Sequence, residues 1–86
     1  MKISVELTFS PLQDNYEEEI IAFIKVLRNS GLTVLENPLS TQVYGDYDQV
    51  FGILKDEIKK SFEKIDIGLV YMKIVKTDRH DYERNY

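Results

Sequence analysis

The sequence predicts an α+β domain in which two helices cover one face of a four-stranded antiparallel sheet. Segments with an apolar residue at every second position are interrupted by two segments in which apolar residues recur every three to four positions. The 86 residues suffice for one domain with one modest core. The chain is 43% hydrophobic and 30% charged, a composition typical of a globular protein and not of a disordered one.

The first half of the chain predicts a strand followed by a helix. Residues 2–10 alternate, and Pro11, which has no N–H to donate, ends the strand. In the next segment, "DNYEEEIIAFIKVLRNSG", apolar residues form one helical stripe. Asn15 and Glu18 make a capping-box pattern, and Gly31 suits the left-handed conformation that closes a helix.

The second half predicts three further elements and a final strand. "LTVLE" is a short strand, and Asn37–Pro38 turns the chain into an antiparallel partner strand that Gly45 ends. Asp46 is expected to cap a second helix, with Gln49 as its capping-box partner. The apolar stripe of this helix is Tyr47, Val50, Phe51, Leu54, Ile58, Phe62 and Ile65. "IGLVYMKIVK" then forms the last strand, and a polar tail follows.

This βαββαβ order predicts the ferredoxin-like sandwich, with strand order 4-1-3-2 and both helices on one face. Residues 1–79 would form the domain and residues 80–86 a polar tail. The segment from Asp78 to Tyr86 is expected to be ordered only where it contacts a neighbouring subunit, with Tyr82 and Tyr86 as its docking residues. The side chains expected to face the helices are Ile3, Val5, Leu7, Phe9, Leu39, Val43, Val70, Met72 and Ile74. This assignment depends on register, because a shift of one residue moves every side chain to the other face.

The uncovered face of the predicted sheet carries an unusual mixture of side chains: Ser4, Glu6, Thr8, Ser10, Ser40, Gln42, Tyr44, Leu69, Tyr71, Lys73 and Val75. The strand order places Glu6 beside Lys73 on one side and beside Ser40 or Gln42 on the other. Two interpretations remain open. The face is either buried in an oligomer with a polar pocket, or it is a solvated sheet with a Glu6–Lys73 cross-strand pair.

Composition and motifs argue against several classes of function. A net charge of −4 and the absence of a glycine-aromatic signature disfavour a nucleic-acid partner. The chain has no cysteine, its single histidine, His80, lies in the tail, and it lacks a Gly-rich phosphate loop, so we expect neither an enzyme nor a metal site. With no apolar run of about 20 residues and no signal-peptide pattern, we expect a cytoplasmic protein without a membrane partner.

Four segments of the chain resemble the small thiamine-binding protein family. They are "ISVELTFSPL", "IIAFIKVLRNSGL", "ENPLSTQVYGDYDQVFGILKDEI" and "VYMKIVKTDR", and together they cover residues 2–79 in register. The resemblance implies a ferredoxin-like fold that associates through its sheets into a homodimer or homotetramer. It also implies binding of thiamine or of its hydroxymethylpyrimidine part, without any other cofactor, at a site lined by Glu6, Thr8, Ser40, Thr41 and Gln42.

The chemistry of these side chains is consistent with such a ligand. An aminopyrimidine offers ring-nitrogen acceptors and an exocyclic amine donor, so Thr8, Ser40 and Gln42 could bond in either sense and Glu6 could accept from the amine. A carboxylate or a tyrosine face could stabilise the positive thiazolium. The sequence therefore predicts a non-catalytic binding protein. The alternative is an interaction or regulatory module that assembles through its sheet without a specific cofactor.

Overall fold

The computed structural model describes residues 1–83 and has the predicted βαββαβ order. Its elements are β1 (Lys2–Pro11), α1 (Tyr16–Arg28), β2 (Thr33–Glu36), β3 (Thr41–Asp46), α2 (Tyr47–Glu63) and β4 (Gly68–Val75). All strand pairs are antiparallel, and the sheet order is β2-β3-β1-β4. The predicted ferredoxin-like fold and its strand order are thus confirmed.

The core lies between the helices and the central strands, because the alternation of β1 turns its apolar side chains to the helix side. Phe9 packs edge-on against Phe23 of α1 and against Phe62 of α2, with ring centroids 5.3 and 6.3 Å apart. The buried apolar residues are Ile3, Val5, Leu7, Phe9, Phe23, Leu27, Val43, Val50 and Leu54. The core prediction for β1 and for Val43 is confirmed.

The outer strand β4 faces the helices as predicted but is not covered by them. Met72 aligns with Leu7 and Ile74 with Val5, so both side chains share the helix-side face. Nevertheless, they are 36% and 49% exposed. Since α1 packs mainly on β1 and α2 on β3, neither helix extends far over β4, which forms this edge of the sheet. The prediction that Met72 and Ile74 face the helices is confirmed, but the helices leave both side chains partly exposed.

The turn before β3 also differs from the sequence prediction. Leu39, expected among the helix-facing residues, is 85% exposed. The Asn37 side-chain oxygen accepts hydrogen bonds from the backbone N–H groups of Leu39 and Ser40, at 2.8 and 3.0 Å. This Asx-type turn holds Leu39 in the loop, so β3 begins only at Thr41.

The predicted strand end at Gly45 and the predicted capping bonds of Asn15 and Asp46 are absent from the part of the chain that the structure describes. Gly45 does not end β3, which continues to Asp46; a Cβ atom at Gly45 would lie 3.1 Å from the Leu32 side chain, so the glycine allows close packing. Asn15 and Asp46 occupy the N-cap positions, but neither side chain makes the capping bond. Asp46 pairs instead with Lys2, at 3.6 Å.

The chain after β4 folds back over the uncovered face of its own sheet. Ser4 Oγ donates a hydrogen bond to the Thr77 carbonyl (2.6 Å) and accepts one from the Arg79 N–H (2.9 Å). The rings of Tyr44 and His80 lie 6.0 Å apart. The first part of the tail thus contacts its own domain, contrary to the prediction that it needs a partner, and Tyr86 lies outside the described residues.

Within residues 1–83, no helix is long and apolar enough to cross a membrane.

Candidate functional site

Glu6 is the centre of a polar chain on the uncovered face of the sheet. It aligns with Gln42 of β3 on one side and with Lys73 of β4 on the other. Ser40 Oγ donates to Glu6 Oε2 (3.0 Å), and Gln42 Nε2 donates to Ser40 Oγ (2.8 Å). Lys73 Nζ lies 3.6 Å from Glu6 Oε1, which confirms the predicted cross-strand pair.

This chain leaves hydrogen-bonding capacity for a ligand. A carboxylate accepts through two oxygens at about four lone-pair positions, and only part of this capacity is used at Glu6. The Gln42 amide keeps a carbonyl oxygen as acceptor and further donor capacity. The Glu6 side chain is 45% exposed, so it is accessible to solvent. The arrangement can therefore bind a planar heterocycle that carries both donors and acceptors along one edge.

A pocket of about 290 Å³ lies beside the polar chain, and we call it the open-face pocket. Its polar lining is Ser4, Glu6, Gln42, Tyr44, Lys73 and Arg79. The tail completes it, since Arg79 places its guanidinium carbon 5.2 Å from the centroid of the Tyr82 ring. The sequence interpretation missed Arg79 and Tyr82 as site residues because it treated the tail as separate. The clustering of two cations and two tyrosines near the chain end was the only signal for them.

The surroundings of Tyr44 disfavour its phenolate form. Burial raises the pKa of the Tyr44 phenol, and the negative charges of Asp78 and Glu6 raise it further. A neutral phenol can still donate a hydrogen bond to a ligand.

Among residues 1–83, no three His, Cys, Asp or Glu side chains are grouped so that they could hold a metal ion.

The structure does not bring all five predicted site residues together. Glu6, Ser40 and Gln42 form the polar chain, but Thr41 aligns with Leu7, is 7% exposed and faces the helices. Thr8 donates weakly to the Leu39 carbonyl, at 3.3 Å. Thr8, Ser40 and Thr41 line a second, mainly apolar pocket of about 170 Å³ between α1 and the turn. The alternation of β3 thus separates Thr41 from its sequence neighbours.

The amino-acid sequence matches the family model for the thiamine-binding protein over residues 5–86. This chain belongs to the thiamine-binding protein family. The match includes all four strands in part or in full, together with the polar chain and both tail residues of the open-face pocket. No curated protein matches the chain.

Solved structures from three bacteria share the fold of this family member. A Thermotoga maritima protein provisionally assigned to thiamine biosynthesis or salvage is 16% identical, with a TM-score of 0.81, and the match covers 90% of this chain and 85% of that one. A Streptococcus pneumoniae protein is 24% identical, with a TM-score of 0.72, and the match covers 91% of this chain and 89% of that one. A domain of unknown function from Bacillus cereus is 14% identical, with a TM-score of 0.77, and the match covers 91% of this chain and 78% of that one. These likenesses show the fold alone.

Proposed function

We propose that this protein is a non-catalytic binding protein for thiamine or for its hydroxymethylpyrimidine part, and that it acts as a homo-oligomer. The observation that carries the proposal is the hydrogen-bonded chain of Gln42, Ser40 and Glu6 beside the open-face pocket. Membership of the thiamine-binding protein family supports it. The provisional role of the Thermotoga maritima protein in thiamine biosynthesis or salvage points in the same direction.

The pyrimidine part of the ligand fits the polar chain chemically. Its exocyclic amine donates hydrogen bonds, and the Glu6 carboxylate is the strongest acceptor in the open-face pocket. Its ring nitrogens accept hydrogen bonds, which the Gln42 amide can donate, while the Ser40 hydroxyl donates to Glu6 and orients that carboxylate. Tyr44 provides an aromatic surface at the side of the pocket. These groups bind and orient a ring, and none of them requires a chemical step.

Exposed apolar side chains on β4 support self-association. On the uncovered face, Leu69 and Tyr71 are 43% and 63% exposed. They align with Ser10 and Thr8, whereas the tail covers the opposite end of the sheet at Ser4. A second copy of the chain that covers Leu69 and Tyr71 would bury this apolar surface in a closed, symmetric contact. Such a contact leaves the open-face pocket beside the interface.

Isothermal titration calorimetry with thiamine and with hydroxymethylpyrimidine tests the ligand. We expect saturable binding by the wild type, and a loss of affinity in both Glu6→Gln and Ser40→Ala. In the complex, where the ligand covers the polar chain, each substitution leaves a partner group short of a hydrogen bond at a cost of about 1–3 kcal/mol, which is roughly a five- to 150-fold rise in Kd. The fold should be retained, since neither side chain belongs to the core.

Two variants outside the pocket are matched controls. Ser10→Ala removes a hydroxyl from the same face of β1, and Glu36→Gln removes a carboxylate that pairs with Arg28 on β2's side of the molecule. Both should bind like the wild type. Saturable binding that Glu6→Gln and Ser40→Ala leave unchanged would place the ligand elsewhere. A wild type that binds neither compound would contradict the proposed ligand and favour the interaction module.

A further inference from the structure

We propose that the open-face pocket selects the phosphate monoester of its ligand over the unphosphorylated form, with Arg79 as the selecting residue. The inference rests on the proposed function, because it concerns the same pocket and the same aminopyrimidine. It adds the tail of the chain to the binding site. It also predicts that a negative charge on the ligand, and not the positive thiazolium, is what this pocket distinguishes.

The ionic groups that line the pocket favour an anion. They are one carboxylate, Glu6, and two cations, Lys73 and Arg79. The carboxylate already accepts a hydrogen bond from Ser40 and lies 3.6 Å from Lys73 Nζ. Its charge is therefore balanced within the sheet, and the second cation of the pocket is left in excess. A ligand with a fixed positive charge gains little there, whereas a phosphate gains a charge-assisted partner.

Arg79 is positioned by the fold and is available to a ligand. Its backbone N–H is held by Ser4 Oγ, and Ser4 is 8% exposed. Its guanidinium lies over the Tyr82 ring. Within residues 1–83, no carboxylate oxygen lies within 4.0 Å of this guanidinium. The neighbouring carboxylate of Asp78 instead accepts from the backbone and the ring of His80.

The guanidinium is also the right chemical group for a phosphate. Its planar fork of N–H donors matches two phosphate oxygens at once, and stacking on an aromatic ring restricts its orientation before the ligand arrives. A bidentate arginine–phosphate pair is therefore more than a point-charge attraction.

Ser4 and Glu6 anchor the two binding groups of the pocket on one face of β1. Ser4, which holds Arg79, and Glu6, which would bind the ring, are two residues apart on β1 and point to the same face. The carboxylate that would bind the ring and the backbone that carries the phosphate donor are therefore held at successive positions of the same face. The pocket volume of about 290 Å³ lies at the lower end of small-molecule sites.

Calorimetry on two matched ligand pairs tests the inference: hydroxymethylpyrimidine with its phosphate, and thiamine with thiamine monophosphate. We expect the wild type to bind a phosphate ester at least tenfold more tightly than its parent compound, since a charged hydrogen bond contributes more than a neutral one. In Arg79→Gln this preference should disappear, so that each ester and its parent compound bind with similar affinity. The wild-type preference should also weaken at high salt, because a partly exposed ion pair is screened.

Lys76→Gln is the matched control, because it removes one positive charge from the same segment but does not line the pocket. It should keep the preference for the phosphate ester. Binding of the parent compounds with no preference for their esters would overturn the inference and leave the proposed function intact. Inorganic phosphate that binds as tightly as the esters would overturn it too, since the pocket would then be a general anion site. If the wild type binds none of the four compounds, both proposals fail.

Discussion

At the scale of single residues, Ser4 connects the tail to the sheet. It is one of three buried polar residues within residues 1–83 and uses its hydroxyl as both donor and acceptor. The partners are backbone groups of Thr77 and Arg79, which an alanine at position 4 could not satisfy. The position of Arg79 in the open-face pocket therefore depends on a side chain 75 positions away in the sequence.

We expect Ser4→Ala to loosen the tail without unfolding the domain. Losing the bond to Ser4 leaves the Arg79 N–H and the Thr77 carbonyl without their partner, at a cost of about 1–3 kcal/mol to the docked tail. Hydrogen exchange at the Arg79 amide should accelerate by roughly five- to 150-fold, while amides of β1 and β3 keep their protection. Ser10→Ala on the same face should change nothing at Arg79. Unchanged exchange in Ser4→Ala would show that other contacts hold the tail.

At the scale of elements, the tail carries an ion pair whose strength depends on pH. The hydrogen bond to Asp78 raises the pKa of the His80 imidazole above its usual value of 6.5. The backbone N–H of His80, followed by its ring, lowers the pKa of the Asp78 carboxyl below 3.8. This pair lies next to Tyr44, whose ring contacts that of His80. It therefore contributes to docking of the tail on the uncovered face.

The signs of the two shifts define the pH range of this contribution. Because the His80 pKa is raised in the folded protein, protonated His80 stabilises the fold fully below the unfolded pKa near 6.5. This stabilisation is lost as pH rises through the folded pKa. Because the Asp78 pKa is lowered in the folded protein, ionised Asp78 stabilises the fold above the unfolded pKa near 3.8. This stabilisation is lost as pH falls through the folded pKa. The pair is thus strongest between about pH 4 and 6.5, and its effect on stability is small because both groups are exposed.

An NMR titration of the His80 ring checks this prediction. We expect a pKa above 6.5 in the wild type and a fall toward the ordinary value in Asp78→Asn, which removes both the hydrogen bond and the charge. Asp81→Asn is the control, since Asp81 acts on His80 through charge alone and as the weakest cause. Its effect should be clearly smaller. Equal His80 pKa values in the wild type and in Asp78→Asn would contradict the pairing.

At the scale of the whole molecule, the uneven cover of the sheet favours self-association. Leu69 and Tyr71 are exposed on one face of β4, and Met72 and Ile74 on the other. An edge strand with apolar side chains on both faces is a surface that proteins usually cover. A second copy is the partner that the proposed function requires.

Light scattering of the eluting protein at micromolar concentration tests the assembly. We expect the mass of a dimer or tetramer for the wild type, and a shift toward the monomer in Tyr71→Lys, because burying an unpaired charge in an apolar contact is costly. Ile21→Lys, at an apolar position of α1 that is 51% exposed, should keep the wild-type mass. A monomer mass for the wild type would contradict the proposed assembly.

Much of this architecture could be predicted from the sequence, because it depends on local periodicity. The alternation in residues 2–10 determined which side chains of β1 face the helices, and the strand order followed from the order of elements. The strand order then placed Lys73 on one side of Glu6 and Ser40 or Gln42 on the other, and the structure selects Gln42 as the aligned residue. The polar chain on the uncovered face was thus accessible from the sequence alone.

Only the tertiary structure decided the features that depend on contacts between distant residues. The Asn37 turn delays β3 and exposes Leu39, so the apolar pattern misassigned that residue. The pattern gave the correct face for Met72 and Ile74 but not their exposure, because the helices stop short of β4. The tail joins the open-face pocket through a hydrogen bond that spans 73 positions, from Ser4 to Thr77. Periodicity records which face of an element is apolar. It does not record how far a neighbouring element extends over that face or where a polar tail finds its hydrogen-bond partner, because both depend on the packed shape of the whole domain.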